Sequence, residues 1–171
     1  MKEISIVIPV YNSHECVAEL SRQIKDALKG IEYEQIMVND CSKDSSWEEI
    51  KKESEQNPNL LGINLRKNGG QDSAILTGLN YASGKWIVIM DDDLQHSPYD
   101  ITKLYEEAKK GFDVVYANFE EKKHEDDEDY EKLVVKETAY DLALKKYVSG
   151  VTDASNNKKE SRQIPSTMDK H

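Results

Sequence analysis

Long apolar runs are missing from this sequence, as are cysteines in metal-ligand spacing and any excess of basic residues. No stretch approaches the ~20 consecutive apolar residues that a membrane-spanning helix needs. The N-terminal "MKEISIVIPVYN" has an apolar run too short for a secretory leader, and it ends at Pro9 without a small-residue cleavage site. The expectation is a soluble, cytoplasmic chain with no transmembrane segment. Two cysteines, Cys16 and Cys41, cannot build a disulfide framework and suit free thiols in a reducing compartment. Lys and Arg number 23 against 33 Asp and Glu, a formal net charge of -10. Non-specific nucleic-acid binding needs clustered Lys and Arg, so no nucleic acid is expected as a partner. An anionic small molecule can still bind where a divalent metal bridges the charges.

What is present alternates. The 171 residues suit one domain of ordinary size. "ISIVIPV", "YEQIMVN", "LLGINL", "KWIVIM" and "FDVVYAN" read as short buried strands. Between them, Val17, Leu20, Ile24, Ala27 and Leu28 fall on one face of a helix over about 14–29. Ser45 and Glu48 form a capping-box pattern before a second helix, and "QDSAILTGLNYA" reads as a third. Ser97 and Pro98 open a fourth as N-cap and first-turn residue, running to about Lys110. Strands alternating with helices predict an α/β fold with a mostly parallel sheet flanked by helices. This region, 1–118, is followed by the charged "EEKKHEDDEDYEK". Tyr130, Leu133, Val134, Tyr140, Leu144 and Tyr147 then recur at helical spacing, so residues 119–148 read as an acidic linker and an amphipathic helix from about Glu128 to Val148. Residues 149–171 read as a polar, disordered tail.

In parallel sheets, ligands bind outside the carboxyl ends of the strands. Those ends carry "PVYN", "VNDCSKD", "LRKNGG" and "DDDLQ", so the polar chemistry converges on one rim. Asp91 and Asp93, spaced i, i+2 beyond a strand, can face one Mg²⁺ or Mn²⁺, with Gln95 adding an amide oxygen. The same residues also read as an exposed acidic turn whose charges favour the next helix's N-terminus. Asp40 can accept from a base or ribose, or bond nearby backbone. "LRKNGGQ" offers backbone N–H groups and Arg66 to a phosphate, or is only a loop.

Taken in order, "SIVIPVYN", "VNDCSKD" and "LRKNGGQDSAILTGLNYASGKWIVIMDDDLQHSP" resemble the family 2 glycosyltransferases of the GT-A fold. The nearest branch is the one that moves sugars onto dolichyl and undecaprenyl phosphates. Gly70, Ala74, Gly78, Ala82 and Gly84 match that branch's small-residue helix pattern. The resemblance implies that Pro9 and Tyr11 line the nucleotide base and that Asp40 accepts from it. It places Arg66 and Gly70 near the nucleotide, Asp91 and Asp92 on ribose or metal, and Asp93 with Gln95 on the ion. The implied function is inverting, metal-dependent transfer from a nucleotide-sugar, a UDP-sugar, to a polyprenyl phosphate or cell-envelope glycan. Manganese or magnesium is the implied cofactor.

Departures from the pattern keep alternatives open. Ser13 stands where Glu is usual, Cys41 where Gly is common, and "RKNGGQ" replaces "RNFGQ". After "VVYANFEEKKH", acids stand where the branch carries residues for an acceptor phosphate, and they would repel an anionic acceptor. No catalytic base is identified. One alternative is a truncated or degenerate nucleotide-sugar-binding fragment working with a partner. A third reading is a nucleotidyltransferase, disfavoured because "PVYNSHE" is no glycine-rich phosphate loop. The acceptor stays unknown, and a homodimer or a separate acceptor or membrane subunit, giving peripheral membrane attachment, stays open.

Overall fold

The computed structural model describes residues 1–116 and the backbone of residues 132–136. In chain order its elements are β1 (Ile4–Val10), α1 (His14–Ala27), β2 (Tyr33–Asn39), α2 (Ser46–Gln56), β3 (Leu60–Asn64), α3 (Gln71–Leu79), β4 (Trp86–Met90), α4 (Asp100–Ala108), β5 (Val114–Tyr116) and β6 (Lys132–Lys136). They form one six-stranded sheet in the order β3-β2-β1-β4-β6-β5. Strands β3, β2, β1 and β4 run parallel, with β1 paired to β2 along its whole length and to β4 over Ile4–Val7. β6 is antiparallel to both neighbours. The expected α/β class, a mostly parallel sheet flanked by helices, is what forms.

Every residue of β1 and β4 is buried because the sheet is covered on both faces. Successive side chains alternate between two cores. Ile4, Ile6, Ile8 and Val10 join Trp86, Val88 and Met90 beneath α1, α2 and α4. Val7, Ile36, Val38, Ile87 and Ile89 face α3 through Ala74, Ile75 and Leu79. Gly78 lets α3 lie close on the sheet: a Cβ there would sit 2.5 Å from Val7 Cγ1 and 3.2 Å from Val38 Cγ2. From β1 the chain proceeds outward through β2 and β3, then returns to place β4 on β1's other side. The strand order therefore reverses between β1 and β4, the point at which open α/β sheets bind ligands.

Three local expectations need correction. Ser45 makes no side-chain cap on α2. Asp44 does that work, its Oδ1 accepting the Ser46 N–H at 3.0 Å and the Ser46 hydroxyl at 2.5 Å. Helix α4 starts at Asp100, with Tyr99 as its N-cap residue. Ser97 and Pro98 instead form a preceding turn whose carbonyls accept from Asp100 and Ile101.

The largest correction concerns the helix expected over about 128–148, since Lys132–Lys136 is a strand. Its register runs Met90 to Lys132 through Trp86 to Lys136 on one side, and Val114 to Val135 on the other. Two β-branched valines favour the pleat, and β4 would otherwise leave an edge of unpaired backbone groups. The sheet thus reaches past residue 118. The rest of that helix, the acidic linker and the polar tail lie outside the described residues.

Candidate functional site

The rim is built from the loops after β1, β2, β3 and β4. Pro9 is buried within β1, one residue before the strand ends. Tyr11 follows directly and is 45% exposed, its ring available at the rim. Asn12 has a φ of 55°, turning the chain sharply before α1. The β1–α1 loop is laced to the β2–α2 loop. The Asn12 N–H donates to Ser42 Oγ at 3.0 Å, the Ser13 N–H to Ser46 Oγ at 2.9 Å, and the His14 N–H to Asp44 Oδ2 at 3.2 Å. His14 Nδ1 lies 3.0 Å from the same Asp44 oxygen. Burial alone would raise the Asp44 carboxyl. Hydrogen bonds from the Ser46 hydroxyl and N–H, and from His14, outweigh it and hold the group at about 2.

Asp40 is 3% exposed at the end of β2. Its Oδ1 accepts the Gly69 N–H at 2.7 Å and its Oδ2 the Gly70 N–H at 2.8 Å. Gly70, with a φ of 86°, is the N-cap residue of α3. The glycine-loop amides that were candidates for a phosphate thus already donate to Asp40. Asn68 Nδ2 donates to the Asp40 carbonyl at 3.2 Å, further joining the loop to β2. Arg66 is exposed in the same loop.

The three consecutive acids after β4 point to three different partners. Asp91 Oδ1 accepts from Gln71 Nε2 at 2.9 Å, which ties β4 to the first residue of α3. Asp92 Oδ2 accepts the Tyr11 N–H at 3.1 Å, which ties β4 to β1. Asp93 Oδ1 accepts the Gln95 N–H at 2.9 Å within its own turn. Divergence is how the chain tolerates three adjacent carboxylates. Burial pushes the Asp92 carboxyl up, against hydrogen bonds from Ser13 and the Tyr11 N–H, and the Asp93 charge pushes it further the same way. Asp93 and Gln95 are exposed. Leu94 between them has a φ of 60°, and its side chain packs against the core beneath α1 and α4.

Tyr11, Asp40, Gly70, Asp91 and Asp92 are therefore joined in one hydrogen-bonded rim, with Asp93 and Gln95 on its outer turn. Pro9 lies under it and Arg66 beside it. Among the described residues, no group of three or more His, Cys, Asp or Glu side chains is gathered to hold a metal. The donor set still fits a hard divalent ion, since such ions take one or two protein carboxylates and complete their shell with substrate phosphates and water. The sequence did not single out Gln71, Asp44 or Leu94, and it marked Ser13 only as a departure from the family pattern. Only the "NGGQ" context of Gln71, opening a helix beside the rim, offered a signal.

The family model for glycosyl transferase family 2 matches residues 5–160. The chain belongs to that family. It is 41% identical over 112 residues to a dolichol-phosphate mannosyltransferase of Pyrococcus furiosus, a match covering 66% of this chain and 32% of the relative. Its fold matches the mannosyltransferase PcManGT of Pyrobaculum calidifontis, solved with GDP-Man and Mn²⁺, with a TM-score of 0.68 and 18% identity. That match covers 82% of this chain and 46% of the other. A further match, to residues 1–349 of S. aureus TarS in complex with UDP-GlcNAc, has a TM-score of 0.55 and 26% identity, over 66% of this chain and 33% of that one. The family 2 chain described here thus spans about a third of the curated relative's length, and its fold is GT-A. Among the described residues, no helix is long and apolar enough to cross a membrane.

Proposed function

We propose that the rim binds a nucleotide-sugar, a UDP-sugar, with Mn²⁺ or Mg²⁺, and that this family 2 domain acts in inverting sugar transfer to a polyprenyl phosphate or cell-envelope glycan. One observation carries the reading: an exposed aromatic, Tyr11, and the acid turn meet at the β1/β4 reversal point through the Tyr11–Asp92 bond. Relatives solved with GDP-Man and Mn²⁺ and with UDP-GlcNAc support it.

In this reading Pro9 and Tyr11 form the floor and face for the base. Asp40 already accepts two amides, yet each carboxylate oxygen has a second lone pair for a base N–H. Arg66 and Gly70 lie on the nucleotide side, Arg66 as a cation for phosphate oxygens. Asp91, Asp93 and Gln95 are the oxygen donors that would hold the ion. When bound, that ion supplies Lewis-acid stabilisation of the departing diphosphate. The acceptor oxygen forms the new bond to the anomeric carbon as the bond to the diphosphate breaks, and the electron pair leaves with the nucleoside diphosphate. A phosphate acceptor is anionic at neutral pH and needs no general base, which accords with the absence of an assigned one. The setting is cytoplasmic, with membrane attachment through a partner.

Calorimetric titration with UDP and UDP-sugars, with and without Mn²⁺, tests the donor site. Metal-enhanced binding that is lost in Asp93→Ala is expected. Binding without metal enhancement, or enhancement unchanged in Asp93→Ala, overturns the proposal.

A further inference from the structure

Four consecutive backbone N–H groups, from Tyr11 to His14, leave the end of β1, and they do not all go the same way. Those of Asn12, Ser13 and His14 donate to Ser42, Ser46 and Asp44 in the β2–α2 region. That of Tyr11 turns to the opposite side and reaches Asp92, 81 residues away in sequence. The β1–α1 loop is thus slung between the two sides of the rim, with Asp92 as its anchor on the β4 side. The Ser13 hydroxyl donates to the Tyr11 carbonyl at 3.1 Å, which closes the turn around the tethered residue. Asp92 is partly buried and turned into this loop, whereas Asp91 is held by α3 and Asp93 sits exposed on the outer turn.

Resting on the donor-site reading above, we infer that Asp92 is a positioning residue: it holds the Tyr11 backbone so that the exposed ring meets the base, and it touches neither ribose nor metal. The geometry separates it from its neighbours. A carboxylate that accepts from a strand-end N–H is oriented inward by that bond. The Tyr11 ring branches from the Cα next to the N–H that Asp92 holds, so that bond fixes the backbone from which the ring projects. Losing the tether therefore acts on the base side of the site, equally in the presence and absence of the ion.

The test has two arms. In nucleotide-free, ¹⁵N-labelled protein, Asp92→Ala is expected to speed hydrogen exchange of the Tyr11 amide by about tenfold, while Asp92→Asn, which keeps an acceptor oxygen, stays within about threefold of the parent. In UDP titrations, Asp92→Ala is expected to weaken binding about tenfold by the same factor with and without Mn²⁺, and Asp92→Asn to restore most of it. Tyr11 exchange unchanged in Asp92→Ala overturns the inference. So does a loss confined to the Mn²⁺-dependent part, or an Asp92→Asn variant as weak as Asp92→Ala, since both mark a direct ligand. Failure of the parent to bind UDP counts against the donor site, and the exchange arm then decides the tether by itself.

Discussion

The Gly70 N–H donates to Asp40 Oδ2 at 2.8 Å, and the adjacent Gly69 N–H to Oδ1 at 2.7 Å, so one buried carboxylate joins the end of β2 to the start of α3. Replacing Asp40 with Ala removes the charged acceptor of two amide donors. The expected cost is about 2 kcal/mol of stability in urea unfolding. A cost below the error of the measurement contradicts this role.

Leu94 provides an inverted prediction. Glycine usually destabilises more than alanine, but the left-handed backbone here penalises any side chain by ~1 kcal/mol or more. Both Leu94→Ala and Leu94→Gly lose the core contact, and only glycine relieves the backbone. Leu94→Gly should therefore be more stable than Leu94→Ala by about 1 kcal/mol, read from paired denaturation curves.

Gly78 tests the close approach of α3 to the sheet. An alanine gains helix propensity but drives its Cβ to 2.5 Å from Val7 Cγ1. Overpacking wins, at about 1–3 kcal/mol. The double variant Gly78→Ala with Val7→Ala should cost less than the sum of the two single costs, and a strictly additive result would contradict the contact.

Asp44 governs an acid-side prediction. Its folded carboxyl is held at about 2, below the ordinary 3.8. A depressed carboxylate contributes stability that is fully present above its unfolded value and is lost as pH falls through the folded one. Stability should decline between about pH 4 and pH 2, by about 1 kcal/mol after solvent screening of this partly exposed group. Asp44→Asn should flatten that part of the pH–stability curve and lower stability near neutral pH by a similar amount.

The strands and their order along the chain were legible because buried β-branched runs and helical spacing are local signals. Strand β6 was not. Leu133 and Val134 satisfy helical spacing together with residues further on, and a strand is chosen only because β4 and β5 leave a slot between them. Asp44 was missed as a cap because the pattern placed it one residue later, at Ser45. At the rim, sequence could gather Tyr11, Asp40 and the acids but could not tell the three acids apart. Their difference lies in partners, and Asp92 finds its own at Tyr11, 81 residues away in sequence but at the end of the neighbouring strand.

In the proposed function, donor and ion meet on the turn after β4. Paramagnetic broadening of backbone amide signals by substoichiometric Mn²⁺ in the presence of UDP measures this directly. The expected result is loss of signals from residues 91–95 and then from 11–13, with both effects reduced in Asp93→Ala. Broadening centred on the acidic stretch 119–129, or unchanged by Asp93→Ala, would contradict it.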